Sequence, residues 1–299
     1  CLEGNKMLYE YADEKNISHS KVGKYIVASQ AEESNLLKNL FKQGIRNNVN
    51  LKYCSKEETE EAIPQIICSS ALFSPETGII DVPEFINALE GDIQNENGIV
   101  SFNTEFISAK KSKNFFEISC NDGTIFSIQS KNLVNASGLS SDLISYKIDQ
   151  LDQEYIFPIN FAKGHYFKYS GPNPFNSLVY PLADEFSLGI HVGFDLSRQL
   201  RFGPDLTWID SIDFSFDESL KEKFINSIHR YWPDMDPKKL HPDYVGIRPK
   251  IQNNNGGMQD FSILGPEEHG IKGLINLQGI ESPGVTSALA IGKYVSSLL

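Results

Sequence analysis

The apolar positions of this chain follow two periods, and the period switches several times along its length. Residues 2–15 carry apolar side chains at helical spacing and predict a helix. Lys24-Tyr25-Ile26-Val27-Ala28 predicts a strand, and the stretch from roughly 31 to 47 a helix, with Leu36, Leu37, Leu40, Phe41 and Ile45 as its apolar row. Glu57 to Ile63 reads as a short helix ended by Pro64, because the residue before proline is pushed out of the helical region. Ala71-Leu72-Phe73 leads into a turn at Ser74-Pro75-Glu76-Thr77-Gly78. Asp81 then caps a helix to about Glu90, with Pro83 in its first turn.

From 99 to 130 the alternation has period two. Strands are predicted at Ile99–Phe102, Glu105–Ala109, Phe115–Ser119 and Ile125–Ile128, with turns at Lys111–Asn114 and Asn121-Asp122-Gly123. Lys131 to Gly138 reads as a buried strand entering a turn of small residues. A β-rich stretch from about 155 to 250 holds one amphipathic helix near 217–231. The tail from Gly273 to Gly292 is a short buried strand, a glycine turn and the start of a helix. Ser282 is expected to cap that helix, Pro283 to take its first position and Gly284 to permit a close approach. Two strand-to-glycine-turn units, 131–138 and 273–284, therefore flank a long β-rich stretch. That order describes a nucleotide-binding sheet with a second domain inserted into it.

A helix N-terminus presents free N–H groups and a partial positive charge. At 282–286 this suits a phosphate, or the negative charge of a reduced flavin near N1 and C2=O. An ordinary strand–helix joint packing a core stands beside that reading. A dinucleotide-binding domain normally carries Gly-x-Gly-x-x-Gly after its first strand and an acidic residue about 20 positions later. Neither pattern occurs in this chain.

Composition narrows the field. With 299 residues and 40% hydrophobic side chains, the chain can bury a full core in one large or two interleaved domains. Its formal charge of -12 argues against nucleic acid as a partner, and an anionic substrate would need a local cationic pocket. The four cysteines, Cys1, Cys54, Cys68 and Cys120, are scattered and form no Cys-x-x-Cys pair, which speaks against a zinc site and for a reducing compartment. No apolar run reaches the ~20 residues needed to span a bilayer. Cys1 is followed at once by a helical pattern, so the chain is read as the remainder of a longer protein; a lipid-bearing N-terminal cysteine is the alternative.

Several segments, taken together and in order, resemble the FAD-dependent oxidoreductases of the D-amino-acid-oxidase-like superfamily, most closely the L-2-hydroxyglutarate dehydrogenases (oxidases). They are Gly23–Ala28, Ser74–Asp81, Tyr180-Pro181-Leu182, Arg201-Phe202-Gly203-Pro204-Asp205, Gly246-Ile247-Arg248-Pro249-Lys250 and Gly279-Ile280-Glu281-Ser282-Pro283-Gly284. The glycine-rich strand–turn–helix with which members of that family begin has no counterpart here. The resemblance implies an α/β (α+β) fold: an FAD-binding, Rossmann-like domain lacking its first βα unit, interleaved with a β-rich substrate domain. The expected segments are 1–22, 70–150 and 255–299 for the first, and 23–69 and 151–254 for the second. Loss of a central strand would expose ladder groups and apolar surface, so low solubility is expected of this chain.

The implied chemistry is hydride transfer from a small 2-hydroxy acid to FAD, with L-2-hydroxyglutarate as first choice and oxygen or a quinone as electron acceptor. An amine or amino-acid oxidase, or a non-catalytic product, stands as the alternative. A cytoplasmic location, peripheral to the inner membrane where the acceptor is a quinone, goes with this reading. Arg248 corresponds to the residue that grips the substrate carboxylate, and a planar guanidinium matches that group. A second carboxylate would need another cation: Arg198, Arg201, Lys163 and Lys250 are candidates. The alcohol proton needs a base, for which histidine has a suitable pKa. His191 is preferred over His165 because the family has a histidine in the corresponding motif. Tyr166 and Tyr180 are candidates for the pocket lining, with core packing as the plain alternative. Ala136, Ser137 and Gly138 are placed near the flavin pyrophosphate, Phe106 at the adenine, and Gly279, Ile280, Glu281, Ser282, Gly284, Val285 and Thr286 around the flavin ring.

Overall fold

The computed structural model describes residues 1–182, 189–251 and 259–299, and it is a mixed α/β structure with several sheets. The expected domain boundary at 254/255 lies outside the described residues. The largest sheet has nine strands. Its path runs Thr207–Ile209, Asn160–Tyr169, Leu200–Phe202, Val192–Phe194, Leu178–Pro181, Lys24–Ala28, Ser70–Ser74 and Lys52–Cys54, and Leu240–Lys250 pairs with Asn160–Tyr169 off that path. All its pairings are antiparallel except one: Leu178–Pro181 runs parallel to Lys24–Ala28.

Period-two alternation gives each strand of this sheet one apolar face. Phe167, Tyr169, Val179, Val192, Leu200 and Phe202 are buried in one cluster under the helix Lys221–His229, with Phe224, Ile228, Tyr231 and Trp232. The neighbouring residues Tyr166, Tyr180, His191, Arg201 and Arg248 point to the other face, where a cavity opens. Parity along each strand thus decides which side chains reach the core and which reach the site.

A second, three-stranded sheet joins Leu133–Asn135 in parallel to Leu274–Gln278, with Ser262–Leu264 antiparallel on the other side. Burial is strongest in Leu274–Gln278, where every residue is buried, as expected of a central parallel strand. A buried amide cluster ties the two parallel strands together. Asn135 Nδ2 donates to Asn276 Oδ1 at 2.9 Å and to the Ser141 carbonyl at 2.8 Å; Ser145 Oγ lies 2.9 Å from the same Asn276 oxygen. Replacing Asn276 by valine would remove the acceptor these two donors share and leave them the Ser141 carbonyl, so Asn276→Val is expected to cost about 1–3 kcal/mol, read as a shift in urea midpoint.

A third sheet is the antiparallel meander Glu105–Lys111, Phe116–Asn121 and Ile125–Ser130. The strand expected at Ile99–Phe102 is not formed. Ile99 is 90% and Phe102 69% exposed, and among the described residues no strand pairs with them. Ser70–Ser74 is the inner neighbour of Lys24–Ala28 in the nine-stranded sheet, although the sequence groups residues 70–150 with the other domain.

The first helix, Leu2–Lys15, crosses the last, Gly284–Leu298, through Gly4. A side-chain carbon at Gly4 would meet the backbone oxygen of Thr286 and lie 2.8 Å from Ser287 Cα. Only glycine lets the two backbones come this close. Lys293 Nζ and Glu3 Oε1, 2.7 Å apart, add an exposed ion pair at the same crossing.

Candidate active site

A cavity of about 1280 Å³ lies between the polar face of the large sheet, the N-terminal end of the helix Val82–Asn95 and the turn before the last helix. Its sheet wall carries Tyr166, Tyr180, His191, Gly193, Arg201, Tyr244, Arg248 and Lys250; Glu281, Ser282 and Pro283 close it from the turn. The six residues expected for catalysis and substrate binding, His191, Arg248, Tyr180, Tyr166, Lys250 and Arg201, are all brought to this wall.

The aromatic side chains are paired. Val179 registers with Val192, which sets Tyr180 beside His191, and their rings stack with centroids 3.6 Å apart and planes 6° from parallel. Tyr166 stacks on Tyr244 at 4.4 Å. Lys24 Nζ sits 4.8 Å from the Tyr180 ring centroid, and burial pulls its ammonium below the usual lysine range. Burial pushes the Tyr166 phenol up, against the opposing influence of the Arg248 guanidinium beside it. The Tyr180 phenol rises for the same first reason, and Tyr244 is pushed up to about 12 by burial with Tyr166 adding to it. All three phenols keep their protons at neutral pH and can donate hydrogen bonds into the cavity.

The cations of the wall are not equivalent. Arg201 is clasped by two carboxylates: Nε donates to Asp243 at 2.6 Å and Nη1 to Asp195 at 2.7 Å. Lys250 Nζ lies 2.5 Å from Glu281 Oε1. Arg248 Nη1 reaches Glu281 Oε2 only at 3.5 Å. The remaining candidates for a second carboxylate turn elsewhere. Lys163 has the parity of the core face and pairs with Asp213 at 2.9 Å. Arg198 sits in the turn after Phe194, donates to the Phe175 carbonyl and to Asn176 at 3.2 Å, and covers the Phe194 ring. His165 also has core parity: it is 2% exposed, with Nδ1 2.9 Å from the buried Asp205 carboxylate. His19, His229, His241 and His269 lie away from the cavity.

The Asp195 side of the clasp is a pH-dependent contact. Burial would raise its pKa, but the Ser197 hydroxyl, the Arg201 guanidinium and the Gln199 N–H outweigh that and hold it at about 2, below the usual 3.8. A carboxyl depressed on folding stabilises above its unfolded pKa of about 4, and the contribution is lost as pH falls through about 2. Asp195→Asn should therefore be destabilising near neutral pH and indistinguishable from the parent protein in strong acid. Urea midpoints across that range check this.

The residues expected at the cofactor, Phe106 excepted, gather at the carboxyl ends of the two parallel strands. Asn135 registers with Asn276, so Ala136, Ser137 and Gly138 run beside the turn that begins at Gly279. Gly138 has φ +59, and no atom lies within 4 Å of where its side chain would start, leaving its backbone bare. Gly279 has φ +68, and a side chain there would strike Ile251 at 2.6 Å. Ser282 does not cap the last helix: Pro283 occupies the cap position with no side-chain cap, and the helix begins at Gly284. The Gly284 N–H turns back to the Glu281 carbonyl, and the Ser287 N–H to Pro283 at 3.2 Å. Val285 and Thr286 follow in the first turn, where helical N–H groups have no intrahelical acceptor. Ile280 packs inward against Ile275, Leu277 and Val295. Phe106 lies apart, half-buried on the antiparallel meander against the cluster that includes Phe116 and Leu274. Open backbone, a helix N-terminus and a cavity larger than the roughly 300–1,000 Å³ of ordinary ligand pockets fit a large cofactor with anionic groups. Sequence reading alone passed over Tyr244, Gly193 and Asp195; Tyr244 shares strand and parity with Arg248, which was the available signal.

A family model described as FAD dependent oxidoreductase (DAO) matches residues 1–298. The mitochondrial L-2-hydroxyglutarate dehydrogenase of Arabidopsis thaliana is 34% identical over 99% of this chain and 70% of its own length. Among solved structures, the FAD-bound L-alpha-glycerophosphate oxidase of Mycoplasma pneumoniae superposes with a TM-score of 0.85 at 22% identity, over 99% of this chain and 77% of that one. Glycine oxidase from Geobacillus kaustophilus follows at 0.80 and 17%, over 99% and 77%. The chain belongs to the FAD-dependent oxidoreductase (DAO) family. It is an oxidoreductase whose cofactor is FAD.

Proposed function

We propose that this protein oxidises a small 2-hydroxy acid to the 2-oxo acid, with L-2-hydroxyglutarate as the substrate of first choice. The observation that carries this is Arg248, a guanidinium in the cavity wall whose nearest anion among the described residues is 3.5 Å away, beside Tyr166 and across from the Tyr180–His191 stack. In this reading Arg248 takes the α-carboxylate through its N–H fork. Tyr166, protonated, donates to the same end of the acid. His191 accepts the hydroxyl proton, and the Tyr180 ring stacked on it fixes the plane of the imidazole. Ala136–Gly138, with 279–286, hold the cofactor at the strand ends. Bound FAD supplies the acceptor for the hydride that leaves Cα, so the acid loses one hydride and one proton in all. Oxygen or a quinone then takes the electrons. Among the described residues no helix is long and apolar enough to cross a membrane.

We divide the chain accordingly. The sheet Leu133–Asn135, Leu274–Gln278 and Ser262–Leu264, with the first and last helices, forms the cofactor unit, and the nine-stranded sheet, Ser70–Ser74 included, forms the substrate unit. Likeness to a glycine oxidase supports a second reading, since the same arginine would serve an α-amino acid. The test is a visible spectrum before and after FAD addition, then under anaerobic L-2-hydroxyglutarate. Bleaching of the flavin band by the hydroxy acid is the expected result. Bleaching only by glycine or sarcosine would replace this proposal with the second.

A further inference from the structure

Three charged side chains meet where the strand Leu240–Lys250 faces the turn before the last helix. Glu281 stands between two cations and treats them unequally: Oε1 is 2.5 Å from Lys250 Nζ, Oε2 is 3.5 Å from Arg248 Nη1. Lys250 and Glu281 have side chains only 10% and 11% exposed, so each is the other's main compensation for burial. Arg248 is 26% exposed and keeps most of its donors free of Glu281.

We propose that Lys250 and Glu281 are a positioning pair: Lys250 holds the Glu281 carboxylate off Arg248 and so keeps one guanidinium fork open for one ligand carboxylate. This rests on the reading of Arg248 as the carboxylate binder. A guanidinium binds a carboxylate through two parallel N–H bonds, which an ammonium cannot do. Without Lys250, Glu281 would close on Arg248 and compete with the ligand from within the same molecule, at the high effective concentration of a tethered group. Arg201, on the same wall, offers no substitute, because its guanidinium is already clasped by Asp195 and Asp243. Lys250 then raises affinity for the acid without touching it. That differs from the sequence expectation, in which Lys250 receives a second substrate carboxylate directly.

The test is calorimetric binding of two acids that lack an oxidisable hydroxyl, 2-furoate with one carboxylate and glutarate with two, to protein of matched flavin content. Lys250→Met is expected to weaken both ligands by at least about tenfold, as Glu281 moves onto Arg248. Adding Glu281→Gln in the same chain is expected to restore both to within about threefold of the parent, a coupling that simple loss of an ion pair does not produce. Loss of glutarate binding alone, with no recovery in the double variant, would show Lys250 gripping the second carboxylate and overturn the proposal. Unchanged binding in Lys250→Met would reduce the pair to a structural ion pair. If Lys250→Met does not fold, Glu281→Gln alone decides: tighter binding of both acids supports the proposal, and unchanged or weaker binding overturns it. Arg248→Met separates the two levels. If it binds both acids like the parent, the reading of Arg248 itself fails; if it loses them while the coupling is absent, only the positioning pair fails.

Discussion

Arg248→Met should lower kcat/KM for the hydroxy acid by about two to three orders of magnitude while leaving the fold intact. Removing one partner of a buried, hydrogen-bonded charge pair costs about 3–5 kcal/mol, and each 1.4 kcal/mol is roughly tenfold in rate. The methionine keeps the length of the stem, and the sheet around it is unaffected because residue 248 faces the cavity. Glu281 loses only its longer contact, at 3.5 Å, and keeps Lys250 at 2.5 Å. Steady-state kinetics with the melting temperature in parallel checks the result. A loss confined to kcat, with KM unchanged, would place Arg248 at the reacting atoms instead of at the carboxylate. Arg248→Lys should recover little, since a point charge does not reproduce the two-pronged contact.

Gly4→Val is expected to be the most damaging single change to stability away from the cavity. The new side chain meets the Thr286 carbonyl and Ser287 Cα, and both are backbone atoms of the last helix that cannot rotate aside. Overpacking of this kind costs about 3 kcal/mol, or roughly 5 °C in Tm for a chain of this size. The helices would relax by separating, which carries the 284–287 turn away from Ala136–Gly138, so flavin content after dialysis should fall with Tm. Gly91→Ala is the matched control. Gly91 also lies in a helix, but nothing stands within 4 Å of its would-be side chain. That variant should gain about 0.5–1 kcal/mol from lower flexibility of the unfolded chain.

Most helices and strands were legible from the apolar period. Leu2–Lys15 and Lys24–Ala28 match the reading of their periods. At Ile99–Phe102 the same alternation produced no strand, because a strand needs a neighbour and none of the described residues offers one. The site was legible in its parts. Arg248 and His191 were singled out through the family resemblance, Tyr166 and Tyr180 as candidate lining, and parity along their strands brings all four to one face. Their assembly was not legible. Nothing local shows that Lys24–Ala28 lies beside Leu178–Pro181, or that Lys163 and His165, on the same strand as the cavity residue Tyr166, point the opposite way. The counter-ions were hidden for the same reason. Glu281 reads as part of a cofactor turn, and its two cations stand on a strand more than thirty residues earlier. At Ser282 the local signal was misleading, since a proline directly after a capping residue can take the cap position itself.

The parallel pairing of Leu133–Asn135 with Leu274–Gln278 also has a price in time during synthesis. Asn135 and Asn276 are 141 residues apart in the chain. At about 5–20 residues per second, a ribosome needs on the order of ten seconds to make the second partner after the first. Through that interval the nascent chain carries an unpaired apolar strand and an unsatisfied amide cluster, both of which attract other chains. This sheet can therefore be completed only after Leu274–Gln278 has left the ribosome. Chaperone supply and growth temperature, more than the stability of the finished protein, should then govern how much active material a cell accumulates.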